Sequence, residues 1–321
     1  MPAGGKRKVI KSITVQEFLE RHGDDLNLSI DHPVIGLERI IEEPAVNRPG
    51  LALAGFFDYF AKMRIQVLGN SEYSYLEKLS DSVRLERFTK LCEQDIPCLI
   101  VARDHQLDPI LREAARAKNI AVLHTPRPTM SVLNAATIKL ENEFAPRTIL
   151  HGCMVDYRGI GVLMMGKSGS GKSETAIGLL EKGAALVADD VVNLKQIGSE
   201  LSATAKHFAR GYLEMRGIGI INVANLYGLS AIRPEKRLDL VVDLKPATDL
   251  NKVDRLGISQ KKFQILDIEV PLVEIPVAAG RDTARLIGVA ALDLQLRRIG
   301  YDMADEFNQR LLAQMNPGSD A

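Results

Sequence analysis

The chain has no tryptophan, and aromatic residues make up 5% of its 321 positions. Its three cysteines, Cys92, Cys98 and Cys153, fall at spacings that match no metal-ligand set or redox pair. So small and odd a number suits a reducing compartment and excludes a secreted disulfide scaffold. Neither sign of charge is in excess, because 41 basic residues balance 41 acidic ones. The long-range field that gathers nucleic acid is therefore lacking, and no nucleic-acid partner is expected. No run approaches the roughly 18 apolar residues of a membrane span. No apolar stretch follows Lys6, Arg7 and Lys8 as it would in a secretory signal. The expectation is a cytoplasmic protein with no membrane association.

What is present is the composition of a globular protein, 46% hydrophobic and 26% charged. The length allows two domains, each able to bury its own core. Thr14 to Arg21 reads as a first helix, with Thr14 as cap and Glu17 completing a capping box. Short apolar runs follow at 33–36 and 63–69. Pro97 to Val101, Asp108 to Lys118 and Ile120 to Leu123 then read as strand, helix, strand. These features place an α/β domain over residues 1–129. Thr125-Pro126-Arg127-Pro128 breaks the pattern. The helix after it, at 130–146, is expected to link the domains. A second domain is expected over 147–321. It opens with two apolar runs, Thr148 to Val155 and Ile160 to Met165, joined by the hairpin turn Asp156-Tyr157-Arg158-Gly159.

The second run leads into Gly166-Lys167-Ser168-Gly169-Ser170-Gly171-Lys172-Ser173, a match to the P-loop pattern. Such a pattern alone is weak, but here an apolar strand precedes it and a helix-forming stretch, Ser173 to Lys182, follows it. Glycines let backbone amides turn inward around phosphate, and the helix N-terminus adds partial positive charge. Lys172 would bridge the outer phosphates of a nucleotide, and the Ser173 hydroxyl would sit on Mg²⁺. The alternative is a plain turn rich in glycine and serine.

Past Gly183, the short buried run Ala184 to Ala188 ends in Asp189-Asp190. Side chains alternate along a strand, so the two carboxylates are expected to do different jobs. One would face the γ-phosphate and the other the metal shell or a loop, unless both are a solvated turn pair. His151 is expected on the strand that pairs with the one entering the P-loop, either packed or catalytic. Glu214, Arg216, Gly217 and Gly219 fall together, so Glu214 could reach Mg²⁺ while the glycines permit close backbone approach. Pro276, Gly280 and Arg281 precede a helix-like stretch and could form an anion site, or an ordinary loop.

At these residues the sequence resembles the HPr kinase/phosphorylase family. The resemblance rests on Asn47 to Phe60 and Ile65 to Tyr73 in the first half. In the second half it rests on His151-Gly152, the P-loop with Glu174-Thr175, Leu186 to Asp190, Glu214 to Ile220, Asp254-Arg255-Leu256-Gly257 and Gly280-Arg281. It implies an α/β protein with an N-terminal α/β domain for assembly or regulation. The catalytic domain it implies is a P-loop kinase domain similar to phosphoenolpyruvate carboxykinase. The implied activity is ATP-dependent phosphorylation of a serine on the phosphocarrier HPr or a paralogue. Removal of that phosphate by inorganic phosphate, giving pyrophosphate, is implied as well, as is a homohexamer. By the same resemblance Asp190 is the proton-transferring residue, His151 and Lys172 are active-site residues, and Ser173 and Glu214 hold Mg²⁺. Arg255 matches an arginine tied to catalysis. The family commonly has Arg-Pro ahead of Gly-Arg, in a loop associated with the phosphorylase direction, where this chain has Ala278-Ala279. A small-metabolite kinase and a non-enzymatic nucleotide sensor are the other readings. The sensor explains neither Ser173 nor the two aspartates.

Overall fold

A computed structural model describes residues 5–246, 261–278 and 280–315. It divides into two compact units, Val9–Ala145 and a second that begins at Pro146 and also takes in the chain up to Lys8.

The first unit begins with helix α1, Val15–Leu26. Thr14 Oγ1 accepts from the Glu17 amide, and the Glu17 carboxylate accepts from the Thr14 amide. The helix runs beyond Arg21 because nothing breaks it before Asn27, which ends it in the left-handed conformation. Strands β1 (Ser29–Ile30), β2 (Val46–Asn47), β3 (Ile65–Leu68), β4 (Cys98–Ala102) and β5 (Ala121–Thr125) form one sheet in the order β1-β5-β4-β3-β2. It is parallel except for β1. Helices α2 (Asn70–Glu77), α3 (Asp81–Cys92) and α4 (Pro109–Ala117) connect parallel strands, which a tight turn cannot join. The expected strand–helix–strand unit is therefore present as β4, α4 and β5.

Helix α5, Thr129–Phe144, is the segment expected to link the domains, and it belongs instead to the first unit. Val132, Ala136 and Leu140 recur one turn apart and are buried in the core that also holds Phe18 and Val67. Burying side chains such as Val132 and Leu140 contributes about 1.5–3 kcal/mol each. A free connector would forgo that.

In the second unit, β6 (Arg147–His151) is followed by β7 (Cys153–Tyr157) and β8 (Ile160–Gly166). Then come α6 (Lys172–Leu180), β9 (Ala185–Ala188), β10 (Val191–Ile197), β11 (Glu200–Thr204), β12 (Tyr212–Met215) and β13 (Gly219–Asn222). After β14 (Glu235–Arg237) and β15 (Leu240–Pro246), the next described elements are β16 (Lys261–Ile265), β17 (Ile268–Val277), α7 (Thr283–Arg298) and α8 (Met303–Met315). A six-stranded sheet has the order β9-β7-β8-β15-β17-β16, with β8, β15 and β17 mutually parallel. A four-stranded sheet, β14-β11-β10-β6, packs on one face of it, and α6 and α7 cover the other. Alternation explains the layering: Val162 and Met164 of β8 face the helices, and Leu163 faces the second sheet.

The run Thr148 to Val155, expected as one strand, is two strands in two sheets, split at Gly152. There the chain passes so close to β8 that a Cβ on Gly152 would lie 2.5 Å from the Met164 carbonyl oxygen. Only glycine fits that crossing. The hairpin turn is where the sequence puts it. Tyr157 pairs with Ile160, and Arg158 and Gly159 have φ of 51° and 90°, as the primed hairpin turn demands.

Candidate active site

Strand direction gathers the candidate residues. The P-loop leaves the carboxyl end of β8, Asp189-Asp190 leave the carboxyl end of β9, and Gly280-Arg281 follow the carboxyl end of β17. His151 and Gly152 precede β7, whose first residue, Cys153, pairs with Met164 near the end of β8. All of these lie at one edge of the six-stranded sheet, where open α/β sheets bind ligands.

In the loop itself, Gly169 and Gly171 have φ of 80° and 82°, a conformation costly for other residues. Lys172 opens α6, and its Nζ donates to the carbonyls of Gly166 at 3.1 Å and Lys167 at 3.2 Å. The ammonium thus folds back over a loop whose amides lead into a helix N-terminus, a setting that favours phosphate. Ser173 follows it on α6.

His151 is not on the strand that pairs with β8. It ends β6 in the four-stranded sheet, where it pairs with Val191. The position still serves the site, because Gly152 donates its amide to the Asp190 carbonyl at 3.1 Å. His151 Nδ1 lies 3.8 Å from Asp190 Oδ1, and the two side chains are 80% and 81% exposed. That separation is too long for a hydrogen bond, but it keeps an imidazole beside an open carboxylate. Asp190 holds φ at 61°, in the left-handed region that aspartate tolerates better than most residues.

Asp189 is half-buried instead. Its Oδ2 accepts the backbone amide of Glu214 at 3.0 Å, and the buried Cys153 thiol hydrogen-bonds to the same carboxylate. Burial pushes the Asp189 carboxyl up from its ordinary range, and those donors oppose the shift. The Cys153 thiol is pushed well up, by burial first and then by the charge of Asp189. The two aspartates are thus divided as alternation requires, one open and one tied inward. Sequence reasoning missed Cys153 as a partner, since a contact between separate strands leaves no local signal.

Glu214 and Arg216 project from the outer face of the β12–β13 hairpin, while Leu213 is buried and Met215 packs on the core. Arg216 Nη2 donates to Ser168 Oγ of the P-loop at 3.1 Å. Gly217 and Gly219 have φ of 85° and 103° and shape the turn. A Cβ on either would meet no atom of the described residues within 4 Å. Their need is conformational.

Pro276 is also not at a helix start. It lies in β17, paired in parallel register with Lys245, and α7 begins only at Thr283. Antiparallel pairing with β16 reaches only Leu272, so among the described residues Pro276 has a paired strand on one side. Asp282 caps α7 by accepting the Arg285 amide at 2.8 Å and pairs with Lys182 at the end of α6. A carboxylate therefore occupies the helix start, and the exposed Arg281 is the cation of that loop. Arg255 and Ala279 lie outside the described residues.

A magnesium ion fits what is present. Ser173 and Glu214 offer one hydroxyl and one carboxylate, and no group of three or more His, Cys, Asp or Glu side chains clusters to hold a metal among the described residues. Both are hard oxygen donors of the kind Mg²⁺ takes. No helix among the described residues is long and apolar enough to cross a membrane.

Comparison with known proteins identifies relatives of both units. The family model described as HPr Serine kinase C-terminal domain matches residues 142–311, and that described as HPr Serine kinase N terminus matches 13–140. An HPr kinase/phosphorylase of Alkaliphilus metalliredigens is 39% identical over 311 residues, 97% of this chain and 99% of that one. One from an Exiguobacterium species is 42% identical over 278 residues, covering 86% and 89%. The solved structure of the Hpr(Ser) kinase/phosphatase from Coxiella burnetii is 32% identical, with a TM-score of 0.46. The match covers 50% of this chain and 98% of that one.

Proposed function

The chain belongs to the HPr serine kinase family, and on that footing we propose that it is a bifunctional HPr kinase/phosphorylase. It phosphorylates a serine of HPr or a paralogue with ATP and removes that phosphate with inorganic phosphate, releasing pyrophosphate. The observation that carries this reading is the open Asp190 beside His151, at the same sheet edge as the P-loop and Lys172. A sensor needs no such exposed base.

Asp190 accepts the seryl proton in the kinase direction and returns it to the departing seryl oxygen in the other. Placement within reach of the hydroxyl counts before basicity. Lys172 and the loop amides stabilise charge on the transferring group, as phosphoryl transfer requires. Ser173 and Glu214 hold Mg²⁺, which neutralises phosphate charge when bound. His151 orients Asp190. Arg255 reaches a phosphate at a subunit boundary of a homohexamer, and Gly280-Arg281 serve the phosphorylase direction. The first unit serves assembly or control, and the protein works in the cytoplasm.

The test is direct. Purified protein with HPr, ATP and Mg²⁺ labels one serine of HPr, and added phosphate then removes the label with stoichiometric pyrophosphate. Transfer to a small metabolite with HPr untouched would overturn the reading.

A further inference from the structure

We propose that the first unit binds a phosphate group, free or as the ester of a small molecule, at the carboxyl edge of its sheet where α2 and α5 begin. The site goes beyond the kinase/phosphorylase reading and lies wholly within the first unit.

Topology singles out that edge. Strands β4 and β5 are adjacent and parallel, yet the helices that follow them go to opposite faces. Helix α4 packs in the core that holds Phe88, and α5 packs in the core that holds Phe18. Open α/β sheets bind ligands in the crevice at such a parting, beyond the carboxyl ends of the strands. Helix α2 also begins at this edge, after β3. Two helix starts therefore meet there, and each brings unpaired amides and partial positive charge. They touch: a Cβ on Gly69, which precedes α2, would lie 2.3 Å from Oγ1 of Thr129, which opens α5.

The side chain that points to a ligand is Thr129. It is 7% exposed, and its hydroxyl has no hydrogen-bond partner among the described residues. A polar group so enclosed is normally paired, and a phosphate oxygen seated between the helix starts supplies the partner. No side chain caps the 16-residue α5, and no acidic residue lies in its first turn, so the chain itself leaves that dipole unanswered. At α2 the carboxylate of buried Glu72 takes the Gly69 amide at 3.0 Å and two bonds from Arg48 at 2.9 and 3.1 Å, which cancel its charge. Arg103 follows β4 and Arg127 follows β5, and the Arg103 amide donates to the Arg127 carbonyl at 3.1 Å. The exposed Arg103 side chain has no partner among the described residues, and Arg127 donates to a neutral one, Asn27 Oδ1, at 3.0 Å. Two cations thus stand against one carboxylate, the exposed Asp104. Amides, a hydroxyl and guanidinium together match the several acceptor oxygens of a phosphate. One oxygen left toward solvent can carry an ester, so inorganic phosphate and a phosphomonoester share this chemistry.

Equilibrium dialysis of the full-length protein against radiolabelled inorganic phosphate tests the site. Wild-type protein should show two classes of phosphate site per chain, one of them at the P-loop. Lys172→Ala should remove the P-loop class and leave the other. Thr129→Val should weaken that other class about tenfold, the loss of one charge-assisted contact, and Thr129→Ser should keep it. Arg103→Gln should weaken it as well. Because Arg103 is exposed, its variant should melt at the wild-type temperature, which separates lost binding from lost fold. In the Lys172→Ala protein, AMP and glucose 6-phosphate then compete with the label. Displacement at a lower concentration than unlabelled phosphate needs assigns the site to an ester, and displacement no better than phosphate assigns it to the free anion. Either result keeps the phosphate chemistry. A single class of site abolished by Lys172→Ala, or a second class that Thr129→Val and Arg103→Gln both leave intact, would overturn the proposal. HPr takes no part in these measurements, so their outcome and that of the HPr assay are independent.

Discussion

His151 and Asp190 come from different chain segments and meet at a single crossing, where Gly152 donates to the Asp190 carbonyl and the imidazole lies 3.8 Å from the carboxylate. Asp190→Asn keeps the shape and removes the base. We expect kcat to fall about 10²–10⁴-fold in both directions, with the Michaelis constant for HPr little altered. Initial rates with HPr and with phosphorylated HPr check this. An Asn variant with wild-type kcat would remove Asp190 from the chemistry.

Asp189 acts one step behind. Its hold on the Glu214 amide sets where the Glu214 carboxylate can stand. Asp189→Ala should raise the Mg²⁺ concentration for half-maximal activity about tenfold, the low end of what lost metal-supporting contacts cost. Glu214→Gln should raise it further. Magnesium titrations of both variants decide, and an Asp189→Ala curve that overlays the wild type would contradict the argument.

At the other end of the same sheet, buried Asp239 accepts from the Gly161 amide at 2.8 Å, Arg237 Nε at 2.7 Å and Arg298 Nη2 at 2.6 Å. It joins the starts of β8 and β15 to the end of α7. Removing one partner of a buried ion pair costs about 3–5 kcal/mol, and the half-open arginines favour the low end here. Asp239→Ala should therefore shift the urea midpoint of the second unit strongly downward and leave catalysis by the folded fraction intact. An unmoved midpoint would show that the cluster is incidental.

The cysteines give a pH test. Burial pushes the Cys92 and Cys98 thiols up to about 12, and it pushes Cys153 well above its usual value. Thiolate is the reactive form, so at pH 8 none of the three should react with a disulfide reagent while the protein is folded. All three should react after denaturation. Because the folded values lie above the unfolded ones, this burial favours the fold at neutral pH, and the contribution is lost as pH rises toward the folded values. Rapid modification of one thiol at pH 8 would contradict the burial.

Local rules made much of this legible. The capping box at Thr14 and Glu17, the turn at Arg158-Gly159 and the strand–loop–helix around Gly166–Ser173 each depend on neighbours in sequence. What was not legible depends on distant partners. Gly152 looks like any glycine in an apolar run until Met164 is seen against it. Pro276 reads as part of a loop before a helix until β17 is seen to run through it, paired with Lys245 of β15. Helix α5 reads as a connector until its stripe meets the first unit's core. Asp189 and Asp190 were separable in principle by alternation. Which of them faces inward was decided by Cys153 and the Glu214 amide.

The start of the chain carries a last consequence. Lys8 exchanges both backbone hydrogen bonds with Arg147, Thr148 Oγ1 donates to the Lys6 carbonyl, and Arg7 pairs with Asp267. These residues shield the outer side of β6, whose other side is taken by β10. A catalytic fragment cut to begin at Pro146 would bare that strand, and bare strands recruit one another. Such a fragment should be prone to self-association for reasons unrelated to the first unit's role. Fusing residues 5–8 back through a flexible tether would tell loss of that cover apart from loss of the domain.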